Sequence, residues 1–224
     1  PYRKAKGGLA TAYFIMGLNL VVYLVISSSA DWKALNPYIK CSDFIFFYLE
    51  AIFFFSTFFY LLDEKYMSWR NFRKDWAVFL ASVVLMITST IGVFGKVDAW
   101  VSWFPFFMFF VQYVMFLKRF YILYNEKRRK LDNYFAEDMQ QFMSWIKKSI
   151  ILIILTSVLS FTTLLGGIIY NYLFQIYVIS ANFYIAISFI NYAAMYGKLN
   201  SAEVTDRERM ETDTEEQKIS QADN

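Results

Sequence analysis

The sequence predicts an all-α fold, a polytopic membrane helical bundle of six transmembrane helices with both termini in the cytoplasm. Three observations predict it. Six apolar runs each approach or exceed the roughly 20 residues needed to cross a hydrocarbon core. The composition, 58% hydrophobic and 21% aromatic, lies well above globular averages. Of the 22 Lys and Arg, all but Lys33, Lys40 and Lys96 fall at the termini, in alternate gaps between the runs or, for Lys118 and Arg119, in the end of the fourth run that borders such a gap. Positive residues stay on the cytoplasmic side, and an even number of spans returns the chain to the side on which it began.

The first run, Gly8–Ser28, follows Arg3, Lys4 and Lys6. It is too long for the h-region of a signal peptide and lacks a small-residue cleavage pattern. The chain opens on Pro1 rather than Met, as a chain trimmed or cut from something longer would. Ser29–Lys40, with Asn36-Pro37-Tyr38 near its end, is expected as the longest outer loop. The second run is Cys41–Leu62. The cytoplasmic segment 63–75 mixes charges with Trp69 and Phe72, the composition of an interfacial loop anchored by aromatic rings. The third run, Trp76–Gly95, ends at a tight reversal near Lys96-Val97-Asp98. The fourth, Trp100–Tyr124, carries Pro105, which should bend it or mark its outer entry. The fifth and sixth, Ser149–Tyr170 and Leu173–Tyr196, flank an uncharged turn containing Gly166 and Gly167. No outer gap is long enough for a folded extracellular domain.

Between the fourth and fifth runs, about 126–147 reads as a cytoplasmic amphipathic helix. Leu131, Tyr134, Phe135, Met139, Phe142, Met143 and Ile146 recur at spacings of three and four. Lys127, Arg128, Arg129 and Lys130 precede this face, where anionic lipid would meet them. Such a helix lies in the headgroup plane or continues a span. Tyr134, Phe135, Phe142, Trp145 and Ile146 are its expected relay residues. The six spans and this helix make one expected domain, 1–197. Residues 198–224 lack aromatic residues and apolar periodicity and are acidic, as a disordered tail or linker is.

Composition excludes several chemistries. The chain has no His, so histidine proton shuttling, phosphohistidine, haem ligation through His and the common zinc sites are ruled out. The one Cys, Cys41, cannot form an internal disulfide and is expected near the outer surface. There is no nucleophile–base pair, phosphate cradle or paired-carboxylate metal motif. No catalytic residue, metal site or cofactor is expected, and the chain does not read as an enzyme.

Polar residues inside spans are the candidates for function, because burying them is costly. Glu50 leads. It falls near the middle of the second span, where a charged carboxylate costs on the order of 2–3 kcal/mol even on the mild insertion scale. Asp43 lies seven residues earlier on the same helical face, nearer the outer surface, so the two could line an outward-facing polar pocket. Asn19, Gln112, Gln175 and Asn182 complete the set of ligand or proton site candidates, and Asn191 is a further polar residue on the sixth run. The plainer reading is that each bonds to a neighbouring helix and serves as glue.

Two stretches carry a family resemblance. They are Leu131-Asp132-Asn133-Tyr134-Phe135-Ala136-Glu137-Asp138 with Ser144-Trp145-Ile146, and Phe183-Tyr184 through Ser188-Phe189-Ile190-Asn191-Tyr192. With them the chain resembles the N-terminal membrane region of membrane-anchored AraC-type transcriptional regulators of Gram-negative bacteria. The resemblance implies a multi-span region in the bacterial inner membrane, followed by a linker and a cytoplasmic helix-turn-helix domain. It departs from that pattern at its end, since the sequence stops in acidic linker at Asn224 and no DNA-recognition residue can be carried over. The expected function is a membrane sensory domain relaying a membrane or small-molecule signal. Its expected partners are membrane lipid, that signal, a second copy of the chain, and DNA only through a domain not in this chain. The alternative is a small transporter or channel subunit with Glu50 in a polar path.

Overall fold

The computed structural model describes residues 2–27, 32–63, 69–91, 99–134, 139–163, 170 and 173–194. Among them are six α-helices: α1 (Tyr2–Ser27), α2 (Trp32–Leu62), α3 (Trp69–Ile91), α4 (Ala99–Tyr134), α5 (Met139–Thr163) and α6 (Leu173–Ala194). Five of them, α1 to α4 and α6, are long and apolar enough to cross a membrane. The chain divides into two compact units, Pro1–Tyr134 and Phe135–Asn224.

The first unit is built around α2. Of the most apolar stretch of each helix, 61% is buried in α2, against 17% in α1, 22% in α3 and 28% in α4. The hub helix therefore has partners on most sides, and the other three keep one broad apolar face outward. Side-chain pairs fix the register. Lys4 lies over the Tyr60 ring, and Tyr13 meets Phe54 edge-on, so α1 runs antiparallel to α2. Phe79 packs on Tyr48 and Trp76 on Phe53, so α3 is antiparallel to α2 as well. Phe44, Tyr48, Phe55 and Phe58 meet Phe106, Phe109, Phe116 and Phe120 in matching order, so α4 runs parallel to α2. This up-and-down order is what short connections between long helices produce.

The packing chemistry suits a lipid medium. Between helices in lipid there is little hydrophobic driving force, so close packing and interhelical hydrogen bonds must hold them together. Gly8 provides the close approach of α1 to α2: a Cβ there would lie 2.7 Å from Thr57 Oγ1. Ala5 and Ala12 share that buried stripe. On the opposite side of α2, aromatic rings interlock edge to face, with centroids 4.7–5.5 Å apart for the Tyr48–Phe109, Phe44–Phe106 and Phe55–Tyr113 pairs.

The second unit contains α5 and α6, which pair antiparallel. Trp145 packs on Phe189 and Tyr192, and the Tyr177 hydroxyl donates to the Leu152 carbonyl at 3.0 Å. On α6, Ala181, Ile185, Phe189 and Tyr192 are buried, and Ile176, Ile179, Phe183, Ile187 and Ile190 are exposed. That is one helical stripe in and one out.

Several boundaries differ from the sequence expectation. α2 begins at Trp32, so most of the expected outer loop Ser29–Lys40 is helix. α3 begins at Trp69, so the second half of the interfacial segment 63–75 is its first two turns. The amphipathic stretch 126–147 is shared out: its first half continues α4 to Tyr134 and its second half opens α5 at Met139, with 135–138 outside the described residues. The reason is common to all. Apolarity marks where a span can end, but Lys, Arg, Glu and Gln are good helix formers and let the backbone ladder run on. The reversal near Lys96, the Gly166-Gly167 turn and the tail 198–224 lie outside the described residues.

Candidate functional site

One face of α2 carries two intramembrane carboxyl groups. Asp43, Glu50, Phe54 and Thr57 form a stripe at helical spacing, and its mapped contacts are with α1. The Asn19 side chain of α1 lies beside the Asp43 carboxyl group. Asn19 Oδ1 is buried and has no hydrogen-bond partner among the described residues. Glu50 Oε1 is likewise buried without a partner, and Glu50 is near enough to Asp43 for their charges to interact. Asn19, Asp43 and Glu50 thus make one polar cluster strung over about two turns of the α1-facing side of α2. Buried polar groups are nearly always paired, and two acceptor oxygens left over in one cluster are the feature here that packing does not explain. Such a cluster can accept hydrogen bonds from a donor or balance a positive charge.

The other intramembrane polar residues do different work. The Tyr48 hydroxyl donates to Gln112 Oε1, and Gln112 Nε2 donates to the Asp75 carbonyl at 3.1 Å. Arg119 holds both Asp75 carboxylate oxygens, at 2.8 and 3.0 Å. Ser82 Oγ of α3 donates to Val78 O at 2.9 Å and lies 3.7 Å from Met108 Sδ of α4. This network ties α2, α3 and α4 together with its main groups paired, so Gln112 serves as glue. Sequence reasoning placed Asp75 and Arg119 in cytoplasmic gaps and did not single out Tyr48 or Ser82. The available signal was Arg119 seven residues beyond Gln112, on the same face of α4.

In the second unit the candidates do not gather. Gln175 and Asn191 are exposed, and Asn182 donates to Val178 O in its own helix at 2.9 Å. Of the relay residues, Trp145 and Ile146 are buried in α5. Phe135 lies outside the described residues, and Tyr134 and Phe142 are described only as helical backbone. Cys41 follows Lys40 at the end of α2 away from Asp75 and Arg119; its side chain is buried and lines an apolar crevice with Tyr38, Ile87 and Ile91. Among the described residues, no group of three or more His, Cys, Asp and Glu is placed to hold a metal.

No protein-family model matches this chain, and no curated protein or solved structure is significantly similar to it.

Proposed function

We propose that the chain is an integral-membrane sensory domain of a bacterial transcriptional regulator. It has six spans, with both termini on the cytoplasmic side of the inner membrane. The observation that carries the sensory reading is the Asn19–Asp43–Glu50 cluster, whose leftover acceptors give a membrane-borne or small-molecule signal a place to act. A ligand or proton that alters this cluster changes how α1 sits on α2, and α2 is the helix on which α3 and α4 are built. A signal of this kind works by shifting a population between two helix arrangements. The output domain belongs to the proposal through the resemblance to AraC-type regulators.

The orientation has independent support. Lys4, Asp75 and Arg119 gather at one end of the first unit, while Lys40, Thr90 and Ile91 mark the other. The gaps rich in basic residues therefore share one end. The fifth span is the apolar continuation of α5 from Ser149.

The reading frame beyond Asn224 tests the regulator part. A helix-turn-helix encoded in frame there supports it, and a stop codon overturns it. The same leftover Glu50 oxygen favours a second reading, a small transporter or channel subunit. Flux measured in proteoliposomes separates the two, since transport that is lost in Glu50→Gln supports the second and absence of flux leaves the sensor.

A further inference from the structure

We infer that the cytoplasmic end of α4 carries a binding face for anionic phospholipid headgroups, built from Lys118 and Arg129 with Tyr121 and Ile122 between them. This rests on the membrane-spanning character of the helices and not on the sensory reading. α4 has 36 residues, and at 1.5 Å per residue it is about 54 Å long. A hydrocarbon core is about 30 Å thick, so a substantial length of α4 lies at headgroup depth or beyond. Lys118, Tyr121, Ile122 and Arg129 fall on one face of that length, at helical spacings of three, four and seven. All four are exposed, Tyr121 at 67% and Ile122 at 54%. The neighbouring Arg119 is turned away and already occupied by Asp75.

Along this face a cation, an apolar pair and a second cation follow one another toward the end of α4. Lys118 is the first charged residue of α4, and its long stem allows the ammonium to reach toward the interface. Tyr121 and Ile122 give an amphipathic ring and an apolar side chain at the level where acyl chains meet headgroups. Arg129, about three turns beyond Lys118, presents a planar fork suited to phosphate oxygens. Charge complementarity selects the occupant. Two cations flank an apolar pair, so a lipid with a net negative headgroup satisfies both, while a zwitterionic one brings a positive group against them. A soluble anion would use the cations and leave Tyr121 and Ile122 without a role.

The test is native mass spectrometry of the full chain in detergent, with added phosphatidylglycerol or phosphatidylcholine. Wild type should retain phosphatidylglycerol over phosphatidylcholine. Lys118→Gln/Arg129→Gln should bind it about thirtyfold more weakly, from the typical worth of two basic residues near an anionic surface. Lys118→Arg/Arg129→Lys should keep most of the preference, and raising salt should reduce it. Far-UV circular dichroism unchanged among the variants ensures that loss of lipid is not loss of fold. Equal retention by wild type and the double Gln variant would overturn the assignment. So would equal retention of the two lipids, or full displacement of phosphatidylglycerol by inorganic phosphate.

Discussion

Glu50 and Gln112 are both polar side chains inside apolar helices, and their surroundings give them opposite roles. Gln112 is buried and uses both ends of its amide. Glu50 keeps a buried oxygen without a partner. Replacing Gln112 with Leu removes two interhelical hydrogen bonds, and the expected cost is about 1 kcal/mol, the usual range for such bonds in membranes. It is read as a lower unfolding midpoint on titration with sodium dodecyl sulfate, and an unchanged midpoint would show that the network carries no weight. Glu50→Gln should leave that midpoint within about 1 kcal/mol, because the amide keeps the shape and the hydrogen-bonding capacity of the carboxyl group. It should also abolish any ligand-dependent change in hydrogen exchange at the α1–α2 contact. A Gln variant that responds like wild type would remove Glu50 from the signalling mechanism. The sequence already marked both residues, since a carboxyl or an amide in a 20-residue apolar run stands out by its cost. Telling glue from site took the partners, and a partner on another helix has no fixed spacing in sequence.

At the scale of elements, the α1–α2 contact depends on one missing side chain. A Cβ at Gly8 would press on Thr57, whereas one at Gly17 meets nothing within 4 Å. Gly8→Leu should therefore wedge the two helices apart and destabilise the first unit by about 1–3 kcal/mol, as overpacking does. Gly17→Leu should change stability by less than about 0.5 kcal/mol, as substitutions away from contacts do. The same detergent titration compares them, and equal effects at the two glycines would contradict the close approach. The existence of the helices was legible from apolar run length alone. Their ends were not. Lys127 to Lys130 read as the lead-in to a separate helix because charge breaks an apolar run, yet these residues continue the α4 ladder without interruption. Gly8, at the edge of an apolar run, gave no hint of its role, because a close contact is a property of two helices.

For the whole molecule, the alternation of basic and neutral gaps is a statement about sides, and the first unit agrees with it geometrically. Lys4 on Tyr60 and Arg119 on Asp75 lie at one end, with Lys40 at the other. The central claim, a multi-span protein with its basic gaps in the cytoplasm, is tested most directly by single cysteines in a Cys41→Ser background. Buried Cys41 is a poor reporter. Lys40, Lys74 and Lys148 are exposed and replace it. A membrane-impermeant maleimide added to intact spheroplasts should label Lys40→Cys. It should reach Lys74→Cys and Lys148→Cys only after the membrane is permeabilised. Labelling of Lys74→Cys or Lys148→Cys from outside, with Lys40→Cys protected, would contradict the account.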